Sequence, residues 1–185
     1  MKKDTEFLMK TGGRDSFEAV FSLMEQAFPP SERRTRQGQA ALLEKDGYSY
    51  RILEEDGQFL GFLGVWDFGE FRFCEHFAVN ENARGKGIGT KALLRWAGES
   101  ESPVVLEVEP PETAIAQRRI GFYQRAGFTL NSFSYWQPVM QPGQEPIPLL
   151  LMSWPGALSE EAFHRCRDCL LREVYGVSPE EFLHP

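Results

Sequence analysis

The chain is poor in cysteine. Cys74, Cys166 and Cys169 are its only thiols in 185 residues, too few for a disulfide framework, and they read as reduced thiols of a cytoplasmic protein. Cys166 and Cys169 have His164 nearby but lack the second ligand pair that a structural zinc site needs, so no metal is expected. Apolar runs are also short. None approaches the ~20 residues that span a bilayer, and Met1–Glu6 lacks the apolar stretch of a signal peptide. Positive charge is in deficit: Lys and Arg total 20 against 27 Asp and Glu, a net charge of -7. Nucleic acid and anionic membranes are therefore not expected partners, because phosphates call for a basic surface. The acidic balance suits a cationic or amine substrate, and equally plain solubility. No repeat or low-complexity linker divides the chain, so residues 1–185 are expected to form one domain, with a core over about 15–154 and a C-terminal helix over 159–175.

Aromatic residues are plentiful, with fifteen Phe and four Trp. They fit a core with an apolar cleft. Asp15-Ser16-Phe17-Glu18 reads as a capped helix start, and Phe17, Val20, Phe21, Met24 and Phe28 follow at helical spacing. Pro29-Pro30 ends that helix, and Gln37 to Lys45 reads as a second, short one. Tyr48–Leu53 and Phe59–Phe68 flank an Asp56-Gly57 turn and read as a hairpin. Phe71–Val79 is a third strand. Helices are predicted over Ile88–Glu99 and Thr113–Ala126, strands over Val104–Val108, Phe128–Val139 and Pro148–Trp154, and a last helix after Ser159. This order predicts an α/β sandwich with a mixed sheet. The apolar run Leu149–Met152 reads as core or as the edge of a homodimer.

The strongest signal is Arg84-Gly85-Lys86-Gly87-Ile88-Gly89-Thr90, between a strand and a helix. Glycines there let the backbone curl and leave its N–H groups uncovered. Together with the helix dipole they make an anion site suited to a pyrophosphate, to which Arg84 and Lys86 add charge. The spacing is neither that of a P-loop nor that of a dinucleotide fingerprint. A glycine-rich turn without a ligand is the alternative.

The stretch Glu75–Gly89 resembles the acetyl-CoA motif of the GNAT superfamily of N-acetyltransferases, with Arg84, Gly87 and Gly89 matching its Arg/Gln-x-x-Gly-x-Gly/Ala pattern. Ile120-Gly121-Phe122-Tyr123-Gln124-Arg125-Ala126-Gly127-Phe128 resembles the family's second signature. The resemblance implies a mixed, mostly antiparallel central sheet flanked by helices, with the cofactor cleft between splayed central strands. It implies acetyl-CoA as co-substrate, held by backbone groups of Phe77, Ala78 and Val79 along the pantetheine arm and by Gly85, Lys86, Gly87, Ile88, Gly89 and Thr90 at the pyrophosphate. One departure stands out. The asparagine that many members carry seven residues before the tyrosine is Ala116 here.

The chemistry would be transfer of the acetyl group to a small-molecule or peptide amine by direct attack in a ternary complex. Tyr123 is the expected acid beside the coenzyme sulfur. Its alternative role is an aromatic core residue. Glu75 is the expected base. Alternation along a strand puts it on the face of Phe77 and Val79, where burial would raise its pKa; a sheet-end carboxylate in a salt bridge is the other reading. His76 is the rival base, pointing to the opposite face. In the charged connector Phe28–Arg34, Glu32 and Arg33 are candidate acceptor contacts. Glu107 and Glu109 share one side of their strand and line the acceptor pocket or face solvent. A non-catalytic acyl-CoA-binding or regulatory module on the same fold, or an enzyme using another acyl donor, are the competing functional readings.

Overall fold

The computed structural model describes residues 7–180 and 182; the leader reading of Met1–Glu6 lies outside them. The sheet has seven strands: β1 (Leu8–Gly12), β2 (Tyr48–Glu55), β3 (Gln58–Asp67), β4 (Arg72–Val79), β5 (Val104–Val108), β6 (Thr129–Gln137) and β7 (Ile147–Trp154). Their spatial order is β1-β2-β3-β4-β5-β7-β6. Only β4 and β5 run parallel; every other neighbouring pair is antiparallel. The hairpin formed by β2 and β3, the crossover helix and the alternation after residue 70 were all legible in the sequence. β1 was not. Its five residues are half polar and pair along one edge only, so the two-residue period is too short to read.

Helices α1 (Phe17–Ala27), α2 (Arg36–Ala41) and α5 (Glu160–Cys169) cover one face, and α3 (Ile88–Ala97) and α4 (Ala114–Arg125) cover the other. Local chemistry fixes several helix starts. The Thr35, Thr113 and Ser159 hydroxyls each accept from a backbone N–H three residues on, satisfying a donor that the first turn leaves orphaned. Asp15 does not play that part: it sits in a 3-10 turn, and α1 starts without a side-chain cap. Leu149, Leu151 and Met152 are core, because β7 lies between β5 and β6 rather than at an edge.

Two features of the sheet position the site. The first is where β4 and β5 part. They pair only over Arg72–Cys74 and Val104–Leu106. Beyond Glu75 and Glu107 the strands diverge, which opens the sheet at its carboxyl ends. Arg72 anchors the closed end. Its buried guanidinium donates to the carbonyls of Trp96 (2.8 Å), Ala97 (2.6 Å), Ser100 (3.2 Å) and Ser102 (3.2 Å), tying the C-terminus of α3 to the first paired residue; cations favour that end of a helix.

The second is a bulge. His76 pairs with Gly64 and Cys74 with Val65, so Glu75 is an extra residue without a partner on β3. A bulge breaks the alternation of side chains. Phe73 and Ala78 then pack towards α1, and Cys74, Phe77 and Val79 towards α3 and α4. Both Glu75 and His76 turn towards α1. The expectation that Glu75 shares a face with Phe77 and Val79, opposite His76, fails for this reason. Gly64 makes room at the bulge: a Cβ there would meet the Tyr48 hydroxyl at 2.8 Å.

Candidate active site

The parted strands enclose a cavity of about 390 Å³. Residues 74–79 of β4 form one wall and residues 106–108 of β5 with Glu109 just beyond them the other; Tyr123 of α4 closes the end and Phe28 and Glu32 of the connector cover it. A groove of about 440 Å³ adjoins it, lined by Ala83–Gly85, Gly87–Thr90, Phe122 and Arg125. Phe77, Val79 and Arg84 line both spaces, so the groove runs into the cavity.

The groove is built from backbone. Gly87 stands at the N-cap of α3 with φ of 76°, and Gly85 has the same φ. Nothing lies within 4 Å of a Cβ at either position, so glycine is needed there for the left-handed turn and not for space. The first turn of a helix leaves its N–H groups without intrahelical partners, and the first residues of α3 line the groove. Gly89 abuts Phe77 and Phe122, whose rings would lie 3.3 and 3.4 Å from a Cβ. Arg84 donates to the Val79 carbonyl (3.0 Å), which curls the loop back on β4. Lys86 is exposed and does not line the groove. Arg125, in the last turn of α4, does line it, a cation that motif reading missed because it falls outside the glycine loop.

The cavity carries the ionisable groups. Tyr123 packs against Phe122 and Phe128, and among the described residues no hydrogen bond involves its hydroxyl. Burial, with Cys74 adding to it and Arg119 opposing, pushes its pKa up, so it holds its proton. Cys74 also lines the cavity; burial raises its thiol pKa and keeps it protonated.

Glu75 is not a free carboxyl. Its side chain is 2% exposed and paired with Arg34, and Trp66 Nε1 donates to it at 2.8 Å. Burial pushes its pKa up, but Arg34, His76 and the hydrogen bonds outweigh burial and hold it below the usual carboxylate range. The raised pKa expected for a base is therefore absent, and the salt-bridge reading describes it. His76 is buried too, with Nε2 2.8 Å from the Glu32 carbonyl and Phe28 edge-on to its ring. Burial lowers its pKa despite Glu75 beside it, so the ring is neutral.

Glu107 differs from both. It lines the cavity and accepts from Tyr135 and Tyr175, the latter hydroxyl lying 2.6 Å from Oε2 and 2.8 Å from Oε1. Burial raises its pKa to about 7, with the two tyrosine hydroxyls opposing. Glu109 and Glu32 flank Arg119 at 3.6 and 4.0 Å; burial raises the pKa of Glu32, Arg119 lowers it and Glu109 raises it further. Arg33 turns away from the cavity. It donates to the Phe28 carbonyl (3.2 Å), lies 3.9 Å from Glu25 and packs over Phe21. The connector is clamped over the cavity by Gln137 and Gln141, which donate to the carbonyls of Ser31 and Arg33 at 3.0 and 2.8 Å. Of the predicted contacts, Tyr123, Glu75 and Glu32 thus meet at one cavity, and Arg33 does not join them.

Residues 46–130 match the acetyltransferase (GNAT) domain. A provisionally named GNAT-family acetyltransferase of Bacteroides thetaiotaomicron is 32% identical; the match covers 92% of this chain and 99% of that one, with a TM-score of 0.85. The chain belongs to the GNAT acetyltransferase family. A provisionally named acetyltransferase of Bacillus subtilis (strain 168), YjbC, is 29% identical over 110 residues. That match covers 58% of this chain and 55% of YjbC, so the chain matches about half the length of this curated relative. A GNAT acetyltransferase of Elizabethkingia anophelis, solved with acetyl-CoA bound, shares the fold (TM-score 0.59, 15% identity, 82% of this chain and 98% of that one). The matched GNAT domain ends before Tyr135 and Tyr175 and starts after Arg34, so these three site residues lie outside it. Among the described residues no helix is long and apolar enough to cross a membrane.

Proposed function

We propose that the protein is an acetyl-CoA-dependent N-acetyltransferase that moves the acetyl group onto a primary amine by direct attack in a ternary complex. One observation carries the reading: a backbone anion groove opens into a cavity with a protonated tyrosine at one end and, on one wall, a carboxyl whose pKa is about 7. The pyrophosphate of acetyl-CoA sits at Gly85–Thr90, between Arg84 and Arg125, and its arm follows Phe77–Val79 into the cavity. Lys86 contributes only long-range charge, since it is exposed and off the groove lining.

Glu107 takes the role expected of Glu75. A base works best with a pKa near the operating pH, whereas Glu75 is tied up by Arg34 and Trp66. The Glu107 carboxylate accepts the proton of the acceptor amine as its nitrogen bonds to the thioester carbon. The C–S bond then breaks, and the departing thiolate takes the proton of the Tyr123 hydroxyl. Both groups exchange protons with solvent before the next turnover. Direct transfer is supported by Cys74, whose protonated, buried thiol is a poor nucleophile. Glu32 and Glu109 at the cavity mouth favour an acceptor that brings positive charge. The expected cytoplasmic location belongs to the same proposal.

Calorimetry with acetyl-CoA followed by thiol release across an amine panel tests this reading. Binding at micromolar concentration with turnover of at least one amine is expected. No binding would remove the proposal, and binding without thiol release on any amine would favour a non-catalytic acyl-CoA module. An acetyl-enzyme trapped during turnover would sink the direct mechanism.

A further inference from the structure

The residues that hold Glu107 come from far along the chain. Tyr135 is on β6, and Tyr175 follows α5. After Cys169 the helix widens into a π turn over Leu170–Val174, with the Tyr175 N–H donating to the Leu170 carbonyl (3.1 Å). Such turns shift the phase of the side chains that follow, and they recur at functional sites. Here Leu170, Leu171 and Val174 are buried, and the Tyr175 hydroxyl meets the Glu107 carboxyl. Arg34 pins the segment: Nη2 donates to the Val174 carbonyl at 2.7 Å while Nη1 pairs with Glu75. The Arg34–Glu75 pair is therefore a strut under Tyr175.

We propose that Tyr175, with Tyr135 donating to the same carboxyl, is a positioning residue of the transfer reaction: its hydroxyl fixes the Glu107 carboxylate for proton abstraction, which makes the segment after α5 part of the active site. The proposal rests on the acetyltransferase reading and deepens it. Two donors on one carboxylate define its orientation, and hydrogen bonds to a charged form stabilise that form. They oppose burial, which alone would push the Glu107 pKa higher and keep more of the carboxyl protonated at working pH. The charged and titratable groups around Glu107 are Tyr135, Tyr175, Glu75 and Arg34, with His76, Glu32, Glu109, Arg119, Arg84, Cys74 and Tyr123 in the same cavity.

The test is a carboxyl titration by carbon-13 NMR, assigned with Glu107→Gln and read beside the pH profile of turnover on whichever amine the panel reports. In the wild type, Glu107 and the acid limb share a midpoint of about 7. Tyr175→Phe moves both midpoints up by about 1 to 2 pH units, the loss of one hydrogen bond to a charged group, and kcat at pH 7 falls about tenfold. Glu75→Gln moves the midpoint down, because it removes a like charge and leaves Arg34. A midpoint unmoved in Tyr175→Phe overturns the inference. Should Tyr175→Phe not fold, the wild type still answers: the Tyr175 ring signal must titrate with Glu107, and an indifferent signal overturns the proposal. Acetyl-CoA affinity separates the two claims, since neither Tyr175 nor Glu107 lines the groove. No acetyl-CoA binding in the wild type sinks the acetyltransferase reading, whereas normal binding with an unmoved midpoint sinks only the role of Tyr175.

Discussion

The two ends of the cleft are made of different materials. The anion loop at Arg84–Thr90 is a local object, one loop with two left-handed glycines and the first turn of α3, to which β4 and α4 add Phe77, Val79, Phe122 and Arg125 to complete the groove. The far end of the cavity is assembled from the connector (Arg34), the bulge (Glu75), β5 (Glu107), β6 (Tyr135) and the segment after α5 (Tyr175). A backbone site tolerates side-chain change and binds a feature shared by every acyl-CoA. A side-chain site is held by long-range partners, so its charge state depends on the whole fold. Cofactor binding and chemistry should therefore be separable by mutation.

The largest effect that would break this contrast is at Glu107. Glu107→Gln keeps the shape and removes the base, so kcat should fall by about 10² to 10⁴ while the acetyl-CoA Kd from calorimetry stays within threefold of wild type. Unchanged turnover would return the base role to Glu75, His76 or a water. Next comes Arg34→Met. It leaves Glu75 buried without its partner, a loss of about 3–5 kcal/mol in such settings, read as a lower Tm. The sign with pH is fixed by the pair. In the wild type Arg34 keeps the Glu75 pKa low, so the pair stabilises above the unfolded carboxylate value and is lost on acidification. In the variant, burial is opposed only by His76 and the Trp66 hydrogen bond, so that pKa moves up from its wild-type position and the variant gains less stability than the wild type as pH rises. The Tm gap between the two proteins should widen from pH 4 to pH 7. The double variant Arg34→Met with Glu75→Gln should narrow it.

The same contrast explains what the sequence disclosed. Arg84–Thr90 was readable because a pyrophosphate site needs contiguous residues, and Tyr123 because it sits inside a helix signature. The strand and helix pattern from Tyr48 to Ala126 followed from periodicity and turn residues, and the start of the last helix from the Ser159 side chain. Glu75 misled because a single bulge opposite Gly64 and Val65 reverses which face a strand residue takes, and its one local sign, Gly64 inside the neighbouring strand, fits a close backbone approach as well as a bulge. Arg34, Tyr135 and Tyr175 were silent because their roles exist only once segments distant in sequence meet. Glu107 was visible as a pocket candidate, but the burial and the two hydroxyls that set its pKa were not.

The smallest predicted effects compare neighbours within the loop. Gly87→Ala introduces no clash, since nothing lies within 4 Å of its Cβ. It does force a Cβ into a left-handed turn, which costs about 1–2 kcal/mol. Relieving that strain tilts the first N–H groups of α3 off the groove, so the acetyl-CoA Kd should weaken about tenfold. Lys86→Ala removes a full charge from the next residue, yet that side chain is exposed and off the groove lining. Its Kd should change less than threefold, with the change fading in about 0.5 M salt as screening removes long-range attraction. If Lys86→Ala weakens binding more than Gly87→Ala, the groove holds its anion through side-chain charge, and the division between a backbone-built end and a side-chain-built end fails.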